Sequence, residues 1–390
     1  MNGGRAVVFA KAAIAALVVS ALASCTVIKN TIPTIGDKWR GSGSAIPAGS
    51  APNSVAVQWQ TEVGRAKGNG FMPAFGDKQI YVTGATGGIA ALAEENGRPV
   101  SKIEVPKAIS GGVGVGENLI AVGTDKGEIF AFDLAGRQLW KSDVAGEVLA
   151  PPVVTANAVL VRAADGRIIS LGRADGKRIW VYQRATPALT LRTNAGVIVS
   201  RSTVYAGYAG GRVVAIEVDS GKPVWEATIS IPRGSTELER ISDVAALPIL
   251  DDNRLCVGVF QGRTGCLETL NGNVLWARDL SSASGVVVDA KNLYVADVQG
   301  NIHALDKLTG ASVWKQEKLV KRVPRIPVLL GGKLLVADDY GAVHALNVAT
   351  GDLLSSVTTD GTAITALSVQ GSRAIAQTEK GGVFALTVSK

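Results

Sequence analysis

The sequence predicts an all-β protein: an eight-bladed β-propeller with four-stranded antiparallel blades, the last blade closed by strands from the N- and C-terminal ends of the chain. Three observations predict this fold. A glycine-centred turn recurs eight times, the same pattern of small and large residues follows each glycine, and the two chain ends carry complementary parts of one repeat. A chain of 390 residues is long for one compact core, but in a repeat fold each repeat packs only on its neighbours.

The repeat is defined by eight glycines, each in a short turn between two apolar segments. They are Gly87, Gly127, Gly166, Gly211, Gly262, Gly300, Gly341 and Gly381. Their successive spacings are 40, 39, 45, 51, 38, 41 and 40 residues. In every repeat the second residue after the glycine is β-branched, the fourth is small and the fifth is large and apolar, as at Ile89, Ala91 and Leu92. This pattern predicts a strand packed closely between neighbouring sheets.

A second turn and a tryptophan follow in most repeats. Glycines of the second turn stand at positions 97, 136, 176, 221, 272, 310 and 351, and tryptophans at 140, 180, 225, 276 and 314. Ser101 and Ser355 replace the tryptophan in the first and seventh repeats. Stretches such as residues 304–314 resemble the tryptophan-docking repeat of quinoprotein-type propellers. The resemblance implies that each indole packs against the next blade and ties the ring together.

The two ends of the chain together supply the eighth blade. The last repeat stops at Lys390, before its own outer strand, whereas residues 54–62 have the pattern of an outer strand without a repeat. Placing residues 54–62 beside 383–388 would complete the blade and remove open sheet edges. The propeller is therefore predicted to span residues 54–390.

The N-terminus has the pattern of an export signal. Arg5 and Lys11 precede an apolar run, residues 12–23, that is too short to span a bilayer. The run ends in Leu-Ala-Ser-Cys, residues 22–25, which resembles the lipobox of bacterial lipoproteins. The resemblance implies that residues 1–24 are a signal peptide and that the Cys25 thiol receives a lipid. A plain signal peptide with a chance cysteine is the alternative.

Residues 25–53 are predicted to be a lipidated flexible tether, because glycine, proline and serine dominate them. Acyl chains on Cys25 would anchor the protein to a membrane without crossing it. Thr26, rather than an aspartate, follows the cysteine, which is compatible with transfer to the outer membrane. Trp39 is unusual in such a stretch, and we expect it to pack on the protein's own folded domain, with packing on a partner as the alternative.

Composition gives no support to nucleic-acid or nucleotide binding. The formal net charge is +7, and no run of Lys and Arg with interleaved aromatic residues forms a basic patch. The glycine-rich segment 111–116 precedes a predicted strand, so no helix N-terminus follows that could receive a phosphate. The charge is expected to be ordinary solvated surface.

With Cys25 assigned to lipidation, Cys256 and Cys266 remain. Both occupy predicted core positions, and Cys266 stands at the small-residue position of its repeat. An exported protein can hold a disulfide, and this pair flanks one hairpin. The core positions favour buried free thiols, with a cross-strand disulfide as the alternative. No candidate metal ligands stand near these cysteines in the sequence, so a metal site is not expected.

The sequence shows no catalytic constellation. The only two histidines, His303 and His344, stand at the same place in consecutive repeats, which favours a structural role, and no Ser or Cys nucleophile is adjacent. A quinone-cofactor (PQQ-type) dehydrogenase is the main enzymatic alternative. Those enzymes resemble this chain in their repeat, but they carry an adjacent cysteine pair and a longer chain. A ligand-binding propeller is a further alternative, which the aromatic content of 5% disfavours. No cofactor is expected.

Two consecutive repeats are longer than the rest, with spacings of 45 and 51 residues. The added segments, residues 182–194 and 231–243, combine Leu and Arg with nearby acids, a mixture that suits a protein interface. Because the repeats are consecutive, the two loops are expected to lie side by side. Tolerated insertion without function is the alternative.

These loops, the lipobox, the eight repeats and the chain length resemble the BamB family, the propeller lipoproteins of the outer-membrane β-barrel assembly (BAM) machinery. The matching motifs are Leu-Thr-Leu-Arg at 189–192 and Gly-Ser-Thr-Glu-Leu-Glu-Arg-Ile-Ser-Asp-Val at 234–244. The resemblance implies a non-enzymatic scaffold on the periplasmic face of the outer membrane that contacts the POTRA domains of BamA. The implied contact residues are Leu189, Leu191, Arg192 and Asp243.

The resemblance is incomplete at one position. The family often has a second acid two positions beyond the one at Asp243, where this chain has Ala245. A further hypothesis is that exposed blade edges guide unfolded barrel precursors by strand addition.

Overall fold

The structure is a computed structural model that describes residues 46–47, 49–51, 53–66, 68 and 70–389, apart from the side chain of Ile326. The predicted signal peptide, Cys25 and Trp39 lie outside the described residues. Within the described part of the chain, 32 strands form eight four-stranded antiparallel sheets, and one 3₁₀ turn spans Val320–Arg322. The predicted all-β, eight-bladed propeller is therefore confirmed.

Each of the first seven blades is a run of four consecutive strands, ordered as in the chain. Blade 1 is β2 (Ala74–Phe75), β3 (Gln79–Thr83), β4 (Gly88–Ala93) and β5 (Pro99–Glu104); blade 2 is β6 (Ile109–Gly116), β7 (Leu119–Thr124), β8 (Glu128–Asp133) and β9 (Gln138–Asp143); blade 3 is β10 (Val153–Val154), β11 (Ala158–Arg162), β12 (Ile168–Gly172) and β13 (Arg178–Tyr182); blade 4 is β14 (Ile198–Ser200), β15 (Thr203–Tyr208), β16 (Arg212–Glu217) and β17 (Pro223–Thr228). Blade 5 is β18 (Ile249–Asp251), β19 (Arg254–Val257), β20 (Thr264–Glu268) and β21 (Val274–Arg278); blade 6 is β22 (Val286–Val288), β23 (Asn292–Ala296), β24 (Ile302–Asp306) and β25 (Ser312–Gln316); blade 7 is β26 (Arg325–Leu330), β27 (Lys333–Ala337), β28 (Ala342–Asn347) and β29 (Leu353–Thr358).

Blade 8 joins the two ends of the chain. Its strands β30 (Ile364–Gln370), β31 (Arg373–Thr378) and β32 (Gly382–Val388) come from the C-terminal end, and β1 (Val55–Glu62) is its outer strand. β1 pairs antiparallel with β32, with Val55 opposite Val388 and Glu62 opposite Gly382. The predicted closure is confirmed. The Val55 amide also donates to Ser355 Oγ of blade 7 at 3.0 Å, so β1 ties blade 8 to the neighbouring blade.

Cross-strand register places the small residue of each repeat opposite the tryptophan position of the outer strand. In blade 2, Ala131 on the third strand lies directly opposite Trp140 on the outer strand, and in blade 8 Ala385 lies opposite Trp59. A β-bulge follows the small residue in blades 1 to 7. Where the outer strand carries tryptophan, the small partner leaves room for the indole, and blades 1 and 7 keep the small residue opposite Ser101 and Ser355.

The tryptophans link successive blades. Trp140 of blade 2 donates its indole N–H to the Arg173 carbonyl of blade 3 at 2.8 Å, and its ring lies against Gly176, where an added Cβ would stand 2.5 Å from a ring atom. The same arrangement recurs at other blade boundaries, with indole N–H donated to the carbonyl three residues before the second-turn glycine: Trp59 to Glu94, Trp180 to Val218, Trp225 to Thr269, Trp276 to Lys307 and Trp314 to Val348. The predicted docking against the next blade is confirmed.

The described residues before β1 also contact the propeller. The amides of Ser50 and Ala51 donate to the carbonyls of Leu353 and Leu354 on β29, at 3.0 and 2.8 Å. These bonds cover part of the outer edge of blade 7. The hydrogen-bonded structure therefore begins a few residues before position 54.

The two cysteines form a disulfide, so the expectation of free thiols is wrong. The core placement is right, because Cys256 and Cys266 are both buried. They lie opposite each other on β19 and β20, with their Cα atoms 4.0 Å apart. The same two positions face each other in every blade, as Ala121 and Ala131 do in blade 2. Two cysteines in directly opposed positions of an antiparallel pair are close enough to bond.

Replacement of Trp140 by alanine is expected to destabilise the protein by about 3–5 kcal/mol, because it leaves a cavity between blades 2 and 3 and removes the bond to the Arg173 carbonyl. Urea unfolding followed by circular dichroism measures the loss. Leu139→Ala, which truncates the exposed neighbouring residue, is the matched control and should cost well under 1 kcal/mol. Equal losses in the two variants would contradict the docking role.

The disulfide should resist reduction in the folded protein, because both sulfur-bearing side chains are buried away from the reductant. Thiol labelling with and without urea, after incubation with dithiothreitol, measures this protection. The Cys256→Ala, Cys266→Ala double variant should lose about 3 kcal/mol of stability, the order expected for a bond that closes a loop of this length. Labelling of these cysteines in the native state would contradict the prediction.

Candidate functional site

The first long loop connects blades 3 and 4. No strand is assigned between the end of β13 at Tyr182 and the start of β14 at Ile198. The loop carries Leu189, which is 43% exposed, and Leu191, which is half-buried. Because this segment makes no sheet hydrogen bonds, contacts with neighbouring loops must define its conformation. Two carboxylates provide such contacts.

Asp243 supplies one of these contacts from the second long loop. Its Oδ2 accepts the Leu191 amide at 2.6 Å and its Oδ1 accepts the Gly210 amide at 3.3 Å. The residue is buried, and burial raises the pKa of its carboxyl, although the two amide bonds act in the opposite direction. The structure thus brings Asp243 and Leu191 together, but it places the Asp243 carboxylate beneath the loop rather than on its outer surface.

Glu147 supplies the other contact, from the connection between blades 2 and 3. Its carboxylate accepts from Nη2 and Nε of Arg192, at 2.5 and 3.1 Å. The Arg192 side chain is otherwise largely exposed. The sequence analysis did not identify Glu147, because it lies 45 positions before Arg192 and no local pattern links the two.

The second long loop contains a preformed turn. The Glu239 carboxylate accepts the amides of Ser235 and Thr236 at 2.7 and 3.1 Å, and Thr236 Oγ1 accepts the Glu239 amide at 3.2 Å. These bonds lower the pKa of Glu239, with the Thr236 amide as the largest cause. In the orientation that satisfies both of its amide atoms, the Gln261 side chain donates to the carbonyls of Leu238, Glu239 and Ile241. The Thr-x-x-Glu pattern of a capping box marks this turn in the sequence, and the sequence analysis missed it.

Apolar side chains are exposed on and beside both loops. They are Leu189, Ile231, Leu238 and Leu247. Leu247 packs beside Gly196 at the end of the first loop, so the two loops meet there as well as at Asp243. Ala245, where the resemblance suggests an acid, is buried. An acid at this position would therefore have to displace buried contacts.

A cleft opens beside the 189–192 segment and continues between blades 3 and 4. Its lining includes Arg162, Gly166, Thr190, Leu191, Tyr208 and Asp243. The Arg162 guanidinium lies over the Tyr208 ring, 4.4 Å from its centroid. Burial of Tyr208 raises its pKa to about 12, so its hydroxyl keeps its proton over the whole physiological range.

Both histidines belong to hydrogen-bonded clusters, and the one around His344 is buried. His344 Nε2 is 2.9 Å from Asp338 Oδ2 and its Nδ1 is 2.7 Å from Ser356 Oγ. Arg322 also bonds to Asp338. No serine adjacent to a histidine was expected from the sequence. The β28–β29 register nevertheless places Ser356 opposite His344. In the equivalent position of blade 6, His303 lies opposite Lys315.

This cluster differs from a nucleophilic triad in both access and orientation. His344 and Asp338 are fully buried, and the serine contacts Nδ1 instead of Nε2. Burial raises the pKa of Asp338, but the bonds from His344 and Arg322 outweigh it and hold the pKa below its ordinary value. The cluster therefore stabilises the turn of blade 7.

Among the described residues, no group of three or more His, Cys, Asp or Glu side chains is placed to hold a metal ion. Within the same part of the chain, no helix has the length and apolar character that crossing a membrane requires.

The eight blades, their closure and the tryptophan docking define an eight-bladed propeller of the quinoprotein type. Comparison with known proteins assigns the chain to one family within this class. The model of the family described as outer membrane protein assembly factor BamB matches residues 85–316 and 299–390. The chain belongs to the BamB family.

Individual relatives agree with this assignment. The chain is 41% identical over 338 residues to the outer membrane protein assembly factor BamB of Nitrosomonas eutropha, covering 85% of this chain and 81% of that relative. The crystal structure of BamB from Moraxella catarrhalis matches with a TM-score of 0.77 at 26% identity, over 84% of this chain and 99% of that one. The quinohemoprotein alcohol dehydrogenase of Comamonas testosteroni matches with a TM-score of 0.69 at 13% identity, over 86% of this chain and 76% of that one, and shows the fold alone.

Asp338→Asn is expected to lower the free energy of unfolding at pH 7 by about 3–5 kcal/mol, because it removes the buried negative charge that faces Arg322 and His344. The pKa of Asp338 is depressed in the folded protein, so the stabilisation is present above the unfolded pKa of about 3.9 and is lost as the pH falls through the folded value. Urea titrations between pH 7 and pH 3 should show the difference from wild type shrinking below about pH 4. Asp125→Asn, an exposed control, should show no such gap.

Proposed function

We propose that this protein is a non-enzymatic scaffold of the outer-membrane β-barrel assembly machinery that binds the POTRA region of BamA and assists insertion of β-barrel proteins. A lipid on Cys25 would hold the propeller at the periplasmic face of the outer membrane, with residues 25–53 as the tether. Membership in the BamB family supports the role in assembly, because the relatives are named as assembly factors. The partner and the anchor rest on the sequence resemblance.

The observation that carries the proposal is the fixed conformation of the 189–192 segment. Asp243 holds it from one side, through the Leu191 amide, and Glu147 holds it from the other, through Arg192. Leu189, two residues before the first of these contacts, has an exposed side chain. A loop that is ordered before binding loses less conformational entropy when the partner docks, so its exposed apolar side chain contributes more to affinity.

The four predicted residues then have different roles. Leu189 buries its exposed side chain against the partner, and Leu191 supports the loop from its half-buried position. Arg192 presents an oriented charge that is already paired with Glu147. Asp243 is a positioning residue, because its carboxylate is occupied by the amides of Leu191 and Gly210.

The comparison with a quinohemoprotein dehydrogenase shows a shared fold, and a shared fold does not support a shared reaction. In this chain the two described cysteines form a cross-strand disulfide within blade 5 and are not adjacent in sequence. The second candidate role, guidance of extended barrel precursors along blade edges, has one supporting observation. The amides of Ser50 and Ala51 already donate to carbonyls on the outer strand of blade 7, the kind of edge acceptor that an added precursor strand would use elsewhere.

Leu189→Asp should weaken binding of the BamA POTRA region by about tenfold to a hundredfold, because a charge replaces an apolar side chain at the centre of the contact. Biolayer interferometry with the full-length protein in detergent measures the change. Leu308→Asp is the matched control, since Leu308 is an equally apolar, exposed residue on the second turn of blade 6.

Asp243→Asn tests the positioning role in the same assay. It should weaken binding less than Leu189→Asp does. The substitution perturbs only the hydrogen bond from the Leu191 amide and leaves the exposed contact surface unchanged. If Leu189→Asp binds as tightly as Leu308→Asp and wild type, the proposed site is wrong. If wild type itself shows no binding to the POTRA region, the proposed partner is wrong.

A further inference from the structure

The cleft beside residues 189–192, the docking loop, contains an arginine for which the described residues provide no counter-charge. Arg162 ends β11, and its guanidinium reaches one protein acceptor in the described residues, the Gly196 carbonyl, at a long 3.5 Å. Its other contact is the face of Tyr208. Within the described part of the chain, no carboxylate lies at ion-pair distance from Arg162.

The two carboxylates that line the same cleft are already occupied. Asp165 pairs with Arg167 at 2.7 Å. Asp243 accepts the two amides of the docking loop. Neither is free to compensate Arg162.

The surroundings add positive charge. Arg184 lies on the Tyr208 ring at 5.5 Å and shares Glu226 Oε1 with Arg212, at 3.0 and 2.6 Å. Three guanidinium groups therefore gather around Tyr208 and Glu226 with a single carboxylate among them. The cluster has a cationic excess directly behind the docking loop.

Tyr208 provides a second, independent observation. The residue is 2% exposed, it lines the cleft, and its hydroxyl has no hydrogen-bond partner in the described part of the chain. Buried hydroxyl groups are normally satisfied, so an unsatisfied one beside an uncompensated guanidinium indicates a missing acceptor. A carboxylate oxygen accepts from both kinds of donor.

We infer that this cleft receives an acidic side chain of the docked partner, whose carboxylate pairs with Arg162. The inference rests on the proposed function and names the chemistry that the partner must supply. The cleft shares Thr190 and Leu191 with the docking loop, so a partner that covers Leu189 lies next to the cleft mouth. Because Arg162 is already partly desolvated in the free protein, much of the cost of burying its charge is met before the partner arrives.

The test is the affinity of full-length Arg162→Gln for the soluble POTRA region of BamA, measured at low and high salt. We expect a loss of at least about tenfold, the range for a hydrogen bond to a charged group, and a weaker dependence on salt than in wild type. Arg137→Gln removes one exposed positive charge on blade 2 and should bind as wild type does. Thermal unfolding of each variant checks the fold.

A charge exchange separates recognition from structure. Arg162→Glu should abolish most of the binding, and one Asp→Lys or Glu→Lys substitution among the partner's surface acids should restore it. Arg162→Lys, which keeps the charge without the planar fork, should retain part of the affinity if Arg162→Gln proves unstable.

The outcomes distinguish this inference from the proposed function. Unchanged binding by Arg162→Gln, with Leu189→Asp still defective, overturns the carboxylate site and leaves the docking loop in place. Failure of every partner acid to rescue Arg162→Glu also overturns it. Absence of binding by wild type overturns both.

Discussion

The contact between each outer-strand tryptophan and the glycine turn of the next blade is the interaction on which the rest of the structure depends. It fixes the spacing between blades through one ring and one hydrogen bond, as between Trp140 and the Arg173 carbonyl. Where serine replaces tryptophan in blade 7, β1 compensates, because Val55 bonds to Ser355 and closes the ring. The connections between blades are therefore free to vary in length without loosening the sheet packing.

The protein uses that freedom at blades 3 to 5. The docking loop has no sheet of its own, yet carboxylates from two flanking connections fix it at Leu191 and Arg192. The following loop is fixed differently, by its own capping bonds at Glu239 and by Gln261 of the next blade. Both loops are thus ordered by polar contacts while their apolar side chains stay exposed, which is the arrangement that favours binding to another protein.

Two arginines show how burial of charge separates a structural role from a binding role. Arg322 is buried against Asp338, which also accepts from His344, so the charge is compensated inside blade 7. Arg162 is placed over an aromatic ring with one long contact to a carbonyl. The first arrangement stabilises the fold by itself, whereas the second is completed by an external anion.

The sequence by itself determined the blade count, the closure and the tryptophan docking, because these follow from a repeated local register that each hairpin obeys independently. It also located both loops. The same register, applied to the pairing of the second and third strands of a blade, places Cys256 opposite Cys266, so the disulfide was within reach of the sequence. Only the tertiary structure decided that Asp243 lies under Leu191, that Glu147 pairs with Arg192 and that Arg162 has no carboxylate partner among the described residues. Those contacts join different blades through irregular loops, whose paths depend on packing and not on a sequence period.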